Sequence, residues 1–506
     1  MSNGHSLSRR GFVKGAAGLA GAAVLGQGAR ALASGKRIVV PALQRATAAS
    51  TPAVPGRLGI DHVVVVMMEN RSFDHFMGWL PGANGIGVAP DGRVVDPQRH
   101  ARFSYTDASG RPHRIYHTPV LNACGQRDQD HGYVGGRVQW DGGRMDGFLT
   151  DPNNTTYALS YYLADQRPFM SQLALNYTTC DNYFCSYLGP TWPNRFFQHA
   201  AQTDRLEDST APESSPLEVS PSTMPSIWDQ LNQADRPSGR YYFSDLPFLA
   251  FWGQKYLPIS DPYPQFLADC AAGTLPNVAI VDPRFEDEGS GTSGDDHPLS
   301  DLRAGDAFLS EVFHAVADGP GWDRTVLVVN YDEWGGFFDH VAPPVVAPGN
   351  QYIDTKHVVR ARNGSITGVL GGFRVPCIVA SPFTRGNPAR PRIASTMFDH
   401  TSVLALIEAN WRLRPLTPRD ASIPARGASS RALSNLAAAL DMARPDPSVP
   451  ALPELAPFVS GGCDVPGFPG GGPTAGGDPA SGSGGPSTPG RNWDELKGSG
   501  LLAGWI

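Results

Sequence analysis

Cys-x-x-Cys pairs, a stripe of basic residues, internal repeats and any long apolar run beyond the first residues are all missing from this 506-residue sequence. Its six cysteines stand apart, at positions 124, 180, 185, 270, 377 and 463, which argues against a zinc knuckle; disulfides among them stay open, because spacing does not reveal connectivity. Lys and Arg total 41 against 48 Asp and Glu, a net charge of −7. Nucleic acid is therefore not an expected partner. No stretch after the start reaches the length of a membrane span, so the mature chain is expected to be soluble.

What is present begins with a leader. Ser8 to Lys14 read SRRGFVK, a mild Gly/Ala-rich apolar run follows over residues 15–26, and Ala31, Leu32 and Ala33 supply small residues before Ser34. This layout predicts a twin-arginine signal peptide over residues 1–33 and export to the periplasm, the cell wall or the medium. That route carries folded proteins, which suits a chain that loads a cofactor in the cytoplasm. Residues 34–57 read as a linker, 58–458 as the catalytic domain and 459–506 as a Gly/Pro/Ser-rich tail, of which about 459–490 bury too little apolar surface to order themselves. About 470 residues remain without the leader, enough for one large α/β domain with insertions.

Inside the domain, β-branched runs at 60–68, 276–282, 324–330 and 374–380 predict buried strands, with a further strand at 239–243. Helices are predicted at 158–176, 224–234, 302–317 and 399–412, and residues 81–160 as loops and short elements over one face. Strands alternating with helices predict an α/β fold, a mostly parallel sheet flanked by helices on both faces.

The stretch Leu188 to Arg195, LGPTWPNR, organises the chemistry. Gly189 and Pro190 halt what precedes, and Pro193 suits a helix start, so the Thr191 hydroxyl lands at or just before a helix N-terminus, where an anion such as phosphate can sit. The plain alternative is that Thr191 is only an N-cap. Two predicted strands end in polar clusters, Glu69-Asn70 and Asp332-Glu333, in the place where α/β sheets carry their sites. Together they offer oxygen ligands and no thiolate, which favours a hard divalent cation, Ca, Mg or Mn, with Thr191 completing the shell. Such an ion lowers the pKa of a bound hydroxyl while neutralising phosphate charge. His131, His297 and His340 are placed to bind phosphate oxygens or protonate a leaving group. His113, His117 and His199 are read as structural.

The strings ENRSFDH (Glu69 to His75), GPTWPNR (Gly189 to Arg195) and YDEWGGFFDHVAPP (Tyr331 to Pro344) resemble, in order and spacing, the bacterial phosphoesterase family, over residues 58–415. That family includes phosphatidylcholine-preferring phospholipases C and an acid phosphatase of the alkaline phosphatase superfamily. The resemblance implies an alkaline-phosphatase-like fold, with Thr191 as nucleophile and Glu69, Asn70, Thr191, Asp332 and Glu333 as ligands of a divalent metal ion (Ca, Mg, Mn or Zn). His131 and His297 would be catalytic, His297 as general acid; His340 and His400 rank lower. The implied reaction is hydrolysis of the glycerol-side phosphodiester bond of phosphatidylcholine or a related phospholipid, through a phosphothreonine, at a transient lipid surface. Trp140, Tyr133, Tyr183 and Trp334 are candidates for cation–π contact with a quaternary ammonium, packing being the alternative. The alternatives are an acid phosphatase on the same fold and an inactive secreted binding protein. The longer haemolytic relatives carry additional β domains that are expected to be absent here.

Overall fold

Val63 to Val66 and Val326 to Val329 are buried without a break, the pattern of strands covered on both faces. In the computed structural model these runs form β1 (His62–Met68) and the strand beside it. The structure describes residues 54–204, 221–286, 288, 291–349, 357–425, 427–461 and 493–505. The signal peptide predicted over 1–33 lies outside them.

In chain order the remaining strands of the main sheet are β2 (Thr178–Cys180), β3 (Gly239–Phe243), β4 (Ser260–Pro262), β5 (Val278–Asp282), β6 (Thr325–Tyr331), β7 (Cys377–Ala380) and β8 (Arg392–Ala394). Across the sheet they run β8-β2-β7-β6-β1-β5-β3-β4. Only β7 opposes the rest, being antiparallel to both β6 and β2. The mostly parallel α/β sheet expected from the alternation of strands and helices is thus present. The main helices are α1 (Phe73–Met77), α2 (Tyr133–Trp140), α3 (Pro168–Asn176), α4 (Thr191–Ala200), α5 (Tyr263–Ala272), α6 (Leu302–Ala317) and α7 (His400–Trp411). Five of them fall into two packed groups, α3 and α5 against α6, and α4 against α7. Among the described residues, no helix is long and apolar enough to cross a membrane.

Four predicted elements change. The helix expected over 158–176 shrinks to α3, because Pro168 occupies its first turn and holds Arg167 out of the helical region (φ −134°, ψ 71°). The helix expected over 224–234 is one 3₁₀ turn, Ile227–Gln230, after which Leu231 is extended. Strand β7 starts at Cys377 rather than 374, since Pro376 has no N–H to give the ladder. The last linker residues, 54–57, belong to the domain: Val54 N–H donates to Asn277 Oδ1 at 3.0 Å and Arg57 N–H to the Asn410 carbonyl at 3.0 Å.

The tail over 459–506 also needs correction at its end. Residues 493–505 pack on the domain, with Trp493, Leu496, Leu501, Leu502 and Trp505 buried.

Candidate active site

Strands β1 and β6 are parallel neighbours in a register that pairs Met68 with Tyr331. Their next residues therefore emerge side by side. Asp332 N–H donates to the Met68 carbonyl at 3.1 Å, and Asp332 Oδ1 accepts from the backbone N–H of Asn70 at 2.9 Å and of Glu333 at 2.7 Å. Asn70 sits in the left-handed region (φ 57°), a strained position that asparagine tolerates better than most residues and that aims its side chain back over the sheet edge. Gly335 is needed to let the second strand's exit pass: a Cβ there would lie 2.1 Å from the Asn70 carbonyl oxygen, and its φ is +64°.

Thr191 is the first residue of α4, behind an extended Pro190. It is thus inside the helix and not its N-cap. Its Oγ1 donates to Asn70 Oδ1 at 3.3 Å and favours the charged form of the neighbouring Asp332 carboxyl. The entry turn is held by Asn194, whose Nδ2 donates to the Tyr187 carbonyl at 3.1 Å and the Gly189 carbonyl at 2.9 Å. One helical turn beyond Thr191, on the same face, Arg195 meets carboxylates from three adjacent strands. Its guanidinium is 2.9 Å from Glu69 Oε1, 3.3 Å from Asp282 Oδ1 and 3.9 Å from Asp332 Oδ2. Reading the sequence did not single out Arg195, although its spacing from Thr191 was a usable signal.

The five predicted ligands fall into adjoining groups. Asn70, Thr191 and Asp332 form one hydrogen-bonded set. Glu69 turns to Arg195 and to a second acid, Glu288, and ligand atoms of Glu69, Glu288 and His297 lie within 4.8 Å of one another. Glu288 and His297 come from the acidic stretch between β5 and α6, and both are buried, as are Asp295 and Asp296. Burial raises the Glu69, Asp332 and Glu333 carboxyls above the usual range, with Arg195 pulling the first two back and His131 the third. Asp332 Oδ2 and Glu333 Oε1 are buried without a hydrogen-bond partner. Two such oxygens beside an amide and a hydroxyl fit a hard divalent cation, which would relieve both. The other acid–histidine group among the described residues, Asp74, Asp339 and His340, already holds a cation, since Arg374 lies 3.1 Å from Asp74 and 2.9 Å from Asp339.

His131 Nδ1–H donates to the Gln129 carbonyl at 2.8 Å, and Nε2 lies 3.4 Å from the Asn70 amide nitrogen. Burial opposes its charge, but Glu333 and Asp128 outweigh that and push it up to about 9. His297 is 6.4 Å away ring to ring, and burial, then the His131 and Arg71 charges, hold it well below the ordinary histidine value. His340 pairs with Asp74. His400 bonds the Tyr331 carbonyl at 2.9 Å and is pushed down to about 4, chiefly by burial. His113 bonds Asp107, His117 bonds Gln166, and His199 accepts from Trp228.

The expected aromatic cage is mostly core. Trp334 donates to Gln139 at 2.7 Å and Tyr183 accepts from Asn330 at 2.8 Å, both buried. The Tyr133 face is taken by the Arg137 guanidinium at 3.2 Å. Trp140 is partly buried against His357.

Thr191, Asn70 and Asp332 thus meet at the carboxyl edge of the parallel sheet, where α/β folds carry their sites. A sequence model of the phosphoesterase family matches residues 60–414. The chain belongs to the phosphoesterase family, and it is a hydrolase of the phosphoric diester class. Phospholipase C B of Mycobacterium tuberculosis is 30% identical over 449 residues, covering 79% of this chain and 83% of that protein. Phospholipase C A of the same species is 32% identical over 403 residues, 71% and 74% of the two chains. The non-hemolytic phospholipase C of Burkholderia pseudomallei is 29% identical over 504 residues, 89% and 67%. A solved structure of an alkaline phosphatase superfamily protein from Vibrio parahaemolyticus superposes with a TM-score of 0.30 at 12% identity, covering 51% of this chain and 64% of that one. The fold described above rests on its own sheet order and not on that superposition.

Proposed function

We propose that this chain is an exported phospholipase C that uses a divalent cation and a threonine nucleophile to release the phosphorylated head group from phosphatidylcholine or a related glycerophospholipid. The observation that carries the proposal is the hydrogen bond of Thr191 Oγ1 to Asn70, whose backbone N–H in turn donates to Asp332, at the sheet edge. The names of the relatives support the substrate class. A bound cation would supply charge neutralisation for the phosphate and a lower pKa for the Thr191 hydroxyl.

The chain's own groups supply the rest. Free N–H groups in the first turn of α4 orient the phosphate oxygens. Thr191 Oγ attacks phosphorus and loses its proton towards Asp332, while the bond from phosphorus to the glyceryl oxygen breaks. Diacylglycerol leaves with a proton from His297, the group favoured from sequence, or from its neighbour His131, 6.4 Å away ring to ring. The other histidine takes a proton from the water that then hydrolyses the phosphothreonine, and the Thr191 oxygen recovers its own from Asp332 as the head-group phosphate leaves.

The test compares wild type, Thr191→Ser and Thr191→Ala on a chromogenic choline phosphodiester, on phosphatidylcholine vesicles and on an aryl phosphomonoester. Thr191→Ala is expected to lose about 10³-fold or more in kcat while melting near wild type, and Thr191→Ser to keep part of the activity. Full turnover by Thr191→Ala would remove the nucleophile. A monoester preferred over the diester would make the enzyme a phosphatase.

A further inference from the structure

Residues 493–505 return to the domain and begin with a short helix, Trp493–Gly498. The stretch before them is rich in Gly, Pro and Ser, so the segment's own side chains must supply its docking. At its far end Trp505 Nε1–H donates to the Gly253 carbonyl at 3.1 Å, and Gln254 Nε2–H to the Ala503 carbonyl at 2.8 Å. Neither contact involves Phe285, Arg195 or Glu69.

The Trp493 end is different. Its ring lies flat on Phe285, with centroids 4.1 Å apart and planes 12° apart. The Arg195 guanidinium stands 4.4 Å from the Phe285 ring centroid and 5.7 Å from that of Trp493. Phe285 sits on the loop after β5, between Asp282, which pairs with Arg195, and Glu288, which faces Glu69. Trp493, Phe285, Arg195 and Glu69 thus form a continuous column from the C-terminal segment to the sheet edge.

We infer that Trp493 is a positioning residue: by covering Phe285 it fixes the loop after β5 and the plane of the Arg195 guanidinium, and through them the Glu69 carboxylate. A guanidinium is held in orientation by a flat aromatic neighbour. A shift of about 1 Å in a group at a reacting centre costs up to about 10²-fold in rate. The inference rests on the reading of the Thr191 edge as the catalytic centre.

The experiment uses the full chain, with Trp493→Ala, Trp493→Phe, Trp505→Ala and Thr191→Ala assayed on the choline phosphodiester below their melting points. Trp493→Ala is expected to lower kcat about 10-fold or more with KM within about twofold, and Trp493→Phe to restore kcat to within about twofold of wild type. Trp505→Ala is expected to lower Tm while leaving kcat within about twofold. Should Trp493→Ala not fold, Phe285→Leu, which removes the stack and keeps apolar volume, must show the same selective loss of kcat. Wild-type kcat in Trp493→Ala or in Phe285→Leu, or equal loss in Trp493→Ala and Trp505→Ala, overturns the inference. Thr191→Ala separates the two levels: if it is inactive while Trp493→Ala turns over normally, only the positioning role fails, whereas activity in Thr191→Ala removes the catalytic centre itself.

Discussion

Arg195 is shared by Glu69, Asp282 and Asp332 in a place where all four side chains are buried. Burial raises Asp282 to about 6 even with Arg195 lowering it, so the acids depend on that one guanidinium. Arg195→Ala is expected to destabilise the protein by about 3–5 kcal/mol in urea titrations, because uncompensated carboxylates stay behind. Thr191→Ala deletes a neutral hydroxyl and should cost about 1 kcal/mol. The contrast separates a charge the fold requires from a hydroxyl that only the proposed chemistry requires. Gly335 is a third kind of residue. An alanine there meets the Asn70 carbonyl oxygen and a φ of +64°, neither of which can relax without moving Asn70. Gly335→Ala is expected to lose activity and about 2 kcal/mol or more of stability, read from kcat and the unfolding midpoint together.

Helix α7 illustrates what an element stores. Its Glu408 is buried and is pushed up to about 10, first by burial and then by the neighbouring Asp420. Unfolded, it would titrate near 4.5. Between those values the folded chain holds a proton that the unfolded chain has released, so this group's contribution falls as pH rises through the window. Glu408→Gln keeps the shape and needs no proton. It is expected to raise Tm relative to wild type at pH 8, by an amount worth about 1–3 kcal/mol, with the gap closing towards pH 5. A gap that did not depend on pH would show that Glu408 is ionised in the fold. Elements were legible from sequence where burial acts on both faces. The Val63 to Val66 and Val326 to Val329 runs admit little but a central strand, and α6 and α7 match their predicted spans within a residue. Where a proline set the boundary, at Pro168 and Pro376, composition pointed to the right type of element and the wrong limits.

For the whole molecule, the sheet edge gathers more buried acid than its arginines and His131 offset, and a divalent cation is the expected relief. Adding one should raise Tm, by about 2.7 kcal/mol of stability at a hundredfold excess over Kd, and chelation should reverse this along with activity. Asp332→Asn is expected to weaken both effects, and a Tm indifferent to Ca, Mg, Mn and Zn would remove the cation from the account. By itself, the order of residues determined the α/β class, the strands that carry Glu69-Asn70 and Asp332-Glu333, and the hydroxyl at a helix start, because each depends on neighbours within a few positions. Tertiary structure alone decided that β1 and β6 lie side by side in the register that joins Asn70 to Asp332. It also decided that Arg195 bridges three strands, that Trp334 and Tyr183 are spent on packing, that His131 and His297 stand together, and that residues 493–505 return to the domain. Those outcomes depend on groups far apart in the chain sharing one low-dielectric volume, and no local pattern encodes which charges and rings will meet there.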